Sequence, residues 1–309
     1  MLYKQNEIPY NKFPLSSCYH RYDPDSKPDY TLFSETGFRR FCFPHNHAAV
    51  EIMYVLKGEV EVKCDDHIFR AKQGDIAFFN PFEVHIILSY DKNRYVEFQI
   101  INFDLELLKN KLSGEFQTVI DLIEKGNLRF PSHIPSSSPH ASALARNMQL
   151  VHKAYSSIFE ECNFMRIMSG MYGFIAEIEE NHLFESIPKI QKSSKTAFSQ
   201  KVVQYISQNY ASISTTKDIS QALHLDKSYF CRLFHEVFNQ NFLDYLHEYR
   251  IYIAKNLSPK DYHSLGEIAE AVGYINYNTF ATYFKKYTGT TPKVFFKTII
   301  TNSNRNVNN

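Results

Sequence analysis

The sequence predicts a multidomain α+β chain: an N-terminal β-barrel with flanking helices, then an all-α unit with a doubled helix-turn-helix. Three observations carry that expectation. Short β-branched and aromatic runs recur between residues 30 and 103, each broken by glycine, proline, asparagine or aspartate. From Leu144 onward the apolar residues change to steps of three and four, the period of a helix face. Between Thr215 and Pro292 one small pattern occurs twice, about fifty residues apart.

At 309 residues the chain has room for two domains, each able to bury its own core. A hydrophobic fraction of 44% with 15% aromatic residues describes folded, globular material. No run approaches the roughly eighteen apolar residues of a membrane span, and residues 1–10 lack the apolar centre of a secretory leader. A cytoplasmic protein with no membrane partner is expected. Cys18, Cys42, Cys64, Cys162 and Cys231 are odd in number, scattered and without a CxxC pair, which fits reduced thiols better than a disulfide framework. The net charge of +1 names no partner, and residues 196–300 carry eleven Lys/Arg against eight Asp/Glu. Binding to a polyanion would therefore depend on where those charges sit. There is no phosphate-cradling glycine loop, no GxSxG and no HExxH, so no enzyme activity and no cofactor are expected.

Residues 1–140 read as the barrel with an N-terminal arm. The runs 51–56, 59–62 and 75–79 are separated by Gly58, Asp65-Asp66 and Gly74, and Asn80-Pro81 follows the last. Short strands at such regular spacing suggest a sandwich or barrel. His45 and His47 lie one residue apart, which on a strand places both on one face. Glu51 follows four residues after His47, and His85 lies further on. Three imidazoles and one carboxylate make a set suited to Fe, Mn, Ni or Zn. The same four residues could instead line a pocket for a small effector, or simply serve the strand structure. Phe41, Phe43, Tyr54 and Phe79 are candidates for the walls of such a pocket. Residues 128–140, with Pro131, Pro135, Pro139 and a serine run, read as a loop.

Within residues 141–187, Leu144, Met148, Val151, Tyr155 and Ile158 form one apolar stripe, and Phe164, Met168, Met171, Ile175 and Ile178 a second. Both stripes are wide enough to pack on the barrel. Residues 188–197, with Pro188 and lysine-serine clusters, are the expected linker. Residues 301–309 are polar and Asn-rich, the composition of a disordered tail.

Residues 198–300 are expected to be wholly helical. Asp218-Ile219-Ser220-Gln221-Ala222-Leu223-His224-Leu225 lines up with Glu267-Ile268-Ala269-Glu270-Ala271-Val272-Gly273-Tyr274, and the aromatic pairs Phe230/Phe234 and Phe280/Phe284 follow. A short apolar helix, a tight turn and a second helix at this spacing is a helix-turn-helix pattern. Two in tandem imply reading of double-stranded DNA along successive stretches of groove. Ser264 and Glu267 form a capping box, and Gly273 supplies the left-handed turn. His224 occupies the equivalent place in the first copy, where a side chain is mildly strained. Leu225, Phe230, Leu233 and Phe234 anchor one second helix, and Phe280, Tyr283 and Phe284 the other. Lys227, Ser228, Cys231, Arg232 and His235 are then left outward, as are Tyr277, Asn278, Ala281, Thr282 and Lys285. The helix 242–256, with Leu243, Leu246, Ile251 and Ala254, would hold the two units apart.

Residues 226–234, 268–274 and the closing 284–292, ending in Gly289-Thr290-Thr291-Pro292, resemble the AraC family of bacterial transcription regulators. That resemblance covers roughly the last hundred residues. It implies that each second helix enters the major groove, with base contacts from Ser228, Cys231 and Arg232 and then from Tyr277, Asn278, Ala281 and Thr282. Arg232 can pair bidentately with guanine and Asn278 with adenine, each worth roughly 1–3 kcal/mol of discrimination. Lys227 and Lys285 suit phosphates, which position without reading sequence. The spacing of His45, His47, Glu51 and His85 resembles the cupin motif, in agreement with a small barrel. In cupin domains joined to this kind of DNA-binding unit, the resemblance implies an effector pocket in the barrel, with these residues often persisting as pocket or structural residues without metal. It also implies a homodimer through the 141–187 helices and action on RNA polymerase, with activation the common outcome. A sugar or related polar metabolite would suit aromatic faces with His and Glu hydrogen bonds. Two rival expectations remain: a metal-dependent cupin enzyme with a DNA-binding appendage, and a constitutive DNA-binding protein with a purely structural barrel.

Overall fold

The computed structural model describes residues 15–22, 32–33, 39–41, 44–65, 67–89, 95–109, 115–156, 162–186, 194–257 and 262–297. The chain divides into two compact units, residues 1–29 with 46–192 and residues 30–45 with 193–309. The expected tail 301–309, residue 187 and residues 188–193 of the expected linker lie outside the described residues, as do Cys42, Phe43 and Ile158. Among the described residues Cys18, Cys64, Cys162 and Cys231 form no disulfide, and no helix is long and apolar enough to cross a membrane.

The first unit is built on β1 (Leu15–Tyr22), and β2 (Leu32–Phe33) and β3 (Arg39–Arg40) follow in the segment grouped with the second unit. The strands continue with β4 (Val50–Lys57), β5 (Glu59–Cys64), β6 (His67–Lys72), β7 (Ile76–Phe79), β8 (His85–Ser89) and β9 (Val96–Phe103). Next come α1 (Glu115–Glu124), β10 (Leu128–Arg129), β11 (His133–Ile134), α2 (Ala141–Tyr155), α3 (Asn163–Glu180) and β12 (Glu185–Ser186). One antiparallel sheet has the order β1-β9-β4-β7-β11, and in a second sheet β5 pairs with both β8 and β6.

Side chains alternate across a strand, so the registers assign every residue a face. Glu51 lies opposite Asn102 and Phe79, and Met53 opposite Ile100 and Ala77. Cys18 and His20 lie opposite Ile100 and Phe98, which puts them on that same face. The other face carries Leu15, Val50, Ile52, Ile76, Phe78, Ile101 and Phe103, and these pack with Leu144, Met148, Val151, Ile167, Met171 and Phe174 of α2 and α3 into one core. A strand surface becomes core here because the helices supply the second layer.

Local pattern and structure differ at three places in this unit. β1 begins at Leu15, ahead of the expected strand region, because its whole length pairs with β9, a partner far along the chain that periodicity does not reveal. The expected loop 128–140 contains β10 and β11, with β11 on the edge of β7. Buried Asn80 holds this segment, donating from its amide to the Phe130 carbonyl at 3.1 Å and accepting from the Phe130 N–H at 2.8 Å. Asp75 holds it again, accepting from the Ser136 N–H at 2.7 Å. Phe164 is exposed, and Gly170 and Phe174 are buried among the α3 residues instead.

The second unit contains α4 (Ser194–Asn209), which starts inside the 188–197 stretch expected as linker, and α5 (Thr216–Ala222), α6 (Lys227–Phe238) and α7 (Phe242–Asn256). It continues with α8 (Leu265–Ala271) and α9 (Tyr277–Thr288), and a further helical turn spans 292–297. Its core gathers Phe230, Phe234, Phe242, Tyr245, Leu246, Ile251, Ala254, Val272, Phe280 and Phe284. Leu243, expected inward on α7, is exposed, because the buried stripe of that helix runs through Phe242, Tyr245 and Leu246.

Candidate nucleic-acid interface and interior cluster

Each α5–α6 and α8–α9 pair is set by local hydrogen bonds. The Thr215 and Ser214 N–H groups both donate to Asp218 at 2.8 Å, which starts α5. The Glu267 N–H donates to the Ser264 hydroxyl at 3.2 Å, and the Glu267 carboxylate accepts from the His263 N–H at 2.9 Å. Between the helices His224 and Gly273 adopt left-handed backbone with φ of 56° and 87°. Asp226 then caps α6, accepting from the Ser228 and Tyr229 N–H groups at 2.8 and 3.1 Å. Asn276 caps α9, accepting from the Asn278 N–H at 2.7 Å.

The caps and the aromatic pairs align the two second helices at the same offset, one residue more than that between the turn residues His224 and Gly273. With Asp226 matched to Asn276, the second turn is longer by one residue, and Ile275, fully exposed, stands in the lengthened turn. Lys227 then corresponds to Tyr277, Ser228 to Asn278, Cys231 to Ala281, Arg232 to Thr282 and His235 to Lys285. The five α6 residues are exposed, as are Tyr277, Asn278, Thr282 and Lys285, while Ala281 is half-buried. The Thr282 hydroxyl donates to the Asn278 carbonyl at 2.9 Å. The Arg232 guanidinium lies 5.5 Å from the ring centre of exposed Tyr229. Sequence reasoning passed over Tyr229 and Ile275; exposed apolar side chains beside the outward polar ones were the available signal.

α7 ties both motifs together, largely through a residue the sequence left unremarked. Buried Arg250 donates from Nε to the Tyr210 carbonyl at 2.9 Å, and from Nη2 to the carbonyls of Tyr210 and Ile213, each at 2.7 Å. Those carbonyls belong to the connection from α4 to α5. The guanidinium also lies 5.4 Å from the ring centre of Tyr274, which follows α8. His247, one turn earlier, stacks on Tyr283 at 3.7 Å and is hydrogen-bonded to the Tyr274 hydroxyl at 3.0 Å. Burial, with Arg250 nearby, pushes the His247 pKa down to about 4, so the ring is neutral.

In the first unit the donor atoms of His47, Glu51 and His85 lie within 4.8 Å of one another, whereas His45 belongs to the segment grouped with the second unit. Glu51 is 3% exposed and His85 1%. His47 Nδ1 lies 2.9 Å from the Ala49 carbonyl, and its Nε2 lies 3.2 Å from Glu51 Oε2. His85 repeats the arrangement, with Nδ1 3.0 Å from the Glu83 carbonyl and Nε2 3.7 Å from the same Glu51 oxygen. Burial alone lowers the His47 pKa, but the hydrogen bond and charge of Glu51 outweigh it and the net shift is upward. Phe79 stacks on His85 at 4.2 Å, Phe41 is half-buried, and Phe43 lies outside the described residues. Tyr54 requires correction as a wall residue. It lies three positions from Glu51, on the opposite face of β4, and packs against the core shared with α2 and α3. Sequence reasoning passed over His20, which shares the Glu51 face and whose pKa burial lowers to about 4.

A profile for an AraC-like ligand binding domain matches residues 27–168, and one for a helix-turn-helix domain matches residues 219–298. The Msm operon regulatory protein of Streptococcus mutans is 25% identical over 253 residues, 81% of this chain and 85% of that protein. The transcriptional regulatory protein HptR of Staphylococcus aureus is 33% identical over 97 residues, 31% of this chain and 38% of that protein. Among solved structures, ToxT of Vibrio cholerae aligns with 92% of this chain and 97% of its own, at a TM-score of 0.45 and 11% identity. With one profile on the sheet-and-helix unit and the other on the paired motifs, the chain belongs to the AraC family of DNA-binding transcription regulators.

Proposed function

We propose that this regulator answers to a small molecule held in its cupin-like N-terminal unit and reads an asymmetric DNA half-site with two different helix faces. The observation that supports this most is the pair of capped helices α6 and α9, which share buried anchors and differ at every corresponding outward position. In this reading Arg232 takes guanine and Asn278 takes adenine, while Ser228, Cys231, Tyr277, Ala281 and Thr282 complete the base-facing surface. Lys227 and Lys285 hold phosphates. The effector is a sugar or similar polar metabolite, contacting His45, His47, Glu51 and His85. Residues 1–140 form the effector domain, 141–187 the dimer-forming segment, 188–197 the linker and 198–300 the reader. Exposed Leu150 and Met165 on α2 and α3 favour that dimer face. Effector binding shifts the population between arrangements of the N-terminal arm or the dimer, and so changes occupation of paired half-sites and activation of RNA polymerase.

The test is selection and sequencing of DNA retained by the full chain, repeated with Arg232→Ala. A contact to guanine predicts relaxed preference at one position and a loss of roughly 1–3 kcal/mol there. An equal loss on every sequence would make Arg232 a phosphate contact and reject its assigned role.

A further inference from the structure

We infer that Tyr229 is the positioning residue for the base contact of Arg232, and that Lys195 preserves this contact by holding Glu236 away from it. The inference deepens the reading that Arg232 takes guanine and rests on it.

The Arg232 side chain has partners in two directions along α6. Helix side chains point back toward the N-terminus, which leads Arg232 onto Tyr229, three residues earlier. The guanidinium lies 5.5 Å from the centre of that ring, within reach of a cation–π contact. The backbone beneath the ring is fixed, since the Tyr229 N–H donates to the Asp226 cap at 3.1 Å. Tyr229 is 43% exposed, so its ring serves the surface of α6 and not the core. In a helix-turn-helix the N-terminal residues of the second helix meet the base edges, so this lean carries the guanidinium toward the groove. An arginine already stacked gives up less rotamer freedom when its fork closes on O6 and N7 of guanine.

The other direction leads to Glu236, four residues later, the spacing at which a helical carboxylate and guanidinium pair. Such a pair would draw Arg232 toward the C-terminal end of α6 and occupy the donors that guanine needs. Lys195 of α4 forestalls it, with Nζ 2.6 Å from Glu236 Oε1. The Lys195 ammonium holds the Glu236 carboxyl below the usual carboxylate range, and Arg232 adds a smaller pull, so the two α6 charges feel each other. Lys195 and Glu236 are both half exposed, and their pair adds little to stability. Its effect is on where the carboxylate points.

The second motif separates this device from the scaffold. With Asp226 matched to Asn276, the places of Tyr229, Arg232 and Glu236 fall to Thr279, Thr282 and Lys286. The Thr282 hydroxyl donates to the carbonyl of Asn278, and Lys286 lies 3.8 Å from Asp244. A group required to fold the motif would recur in both copies. The ring and the carboxylate occur only in the copy with an arginine between them.

The experiment measures binding of the full chain to a duplex carrying the sequence it selects from random DNA, and to duplexes changed at each position, at fixed salt. Arg232→Ala identifies the position where guanine preference is lost. Tyr229→Leu is expected to lower the preference about two- to fivefold at that position alone. Tyr229→Phe should keep it, and Tyr229→Leu should add nothing in the Arg232→Ala background. Lys195→Met is expected to lower it about twofold, and Glu236→Gln in the same chain to restore it. Thermal melting checks that each variant is folded. A Tyr229→Leu loss that is equal on every duplex, or that persists without Arg232, makes Tyr229 a DNA contact in its own right and overturns its positioning role. Unchanged preference in Tyr229→Leu does the same, and failure of Glu236→Gln to rescue Lys195→Met overturns the role of Lys195. If Arg232→Ala relaxes no position, the guanine reading fails and the inference with it; if it relaxes one and Tyr229→Leu does not, only the positioning fails.

Discussion

Replacing Gly273 with alanine would place a methyl group 2.3 Å from the Ala211 carbonyl oxygen and 2.7 Å from its Cα, at a residue with φ of +87°. Two costs follow from these numbers. Left-handed backbone costs a side-chain-bearing residue about 1–2 kcal/mol. The collision is with backbone, which cannot rotate away, and displacing the turn from the α4–α5 connection adds roughly 1–3 kcal/mol. A total near 3 kcal/mol is expected for Gly273→Ala, read as a fall in the urea midpoint of the helical CD signal. Gly289→Ala in the same unit is the matched control. That glycine also has positive φ, +73°, but nothing lies within 4 Å of its added Cβ, so only the first cost applies. His224→Gly, at the equivalent turn of the first motif, should change stability by less than about 1 kcal/mol, since relief of strain and added chain entropy oppose each other. Equal losses from Gly273→Ala and Gly289→Ala would refute the reasoning, because the contact with Ala211 would then contribute nothing.

Two further outcomes follow from α7. Arg250→Ala leaves the carbonyls of Tyr210 and Ile213 without this donor and should cost roughly 1–3 kcal/mol for each; Arg250→Lys should recover only part of it, because one ammonium cannot span the fork. Urea denaturation of both variants checks the order, and full recovery by lysine would contradict it. His247 has a folded pKa of about 4 against 6.5 for the free side chain, so the unfolded chain takes up its proton first as pH falls. The stability associated with the neutral ring is therefore present above pH 6.5 and is lost between 6.5 and 4. The ring faces the Tyr274 hydroxyl and the Tyr283 ring, with Arg250, Lys286 and Asp244 nearby, and Asp244 alone among the charged groups opposes the shift. Comparing urea midpoints of wild type and His247→Phe across this window tests the point, and parallel curves would refute it.

Much of the reader was legible in the chain because its determinants are local. Asp218, Asp226, Ser264 and Asn276 start their helices through bonds to amides within a few residues, and the apolar period marks the buried side of each. The outward residues follow by subtraction. The aromatic pairs also located the motifs, and their offset, shared with the caps, already matches the outward residues; the structure adds that Ile275 stands exposed in the longer second turn. Arg250 read as one more charge on a helix. Its burial depends on carbonyls at the end of α4, which no short window of sequence contains.

The first unit divides in the same way. Period-two alternation was enough to place Glu51 and Tyr54 on opposite faces of β4, yet it could not say which face meets the helices and which meets the histidines. That choice is made by α2 and α3, which cover the Tyr54 side. The sequence by itself determined the helix starts, the turns and the local spacing of His45, His47 and Glu51, because hydrogen bonds and side-chain periods act over a few residues. Only the tertiary structure decided that β1 pairs with β9, that His85 turns its Nε2 toward Glu51 and that Arg250 joins the two motifs. Each of these contacts joins segments far apart in the chain, and is settled by which surfaces the whole fold can bury together.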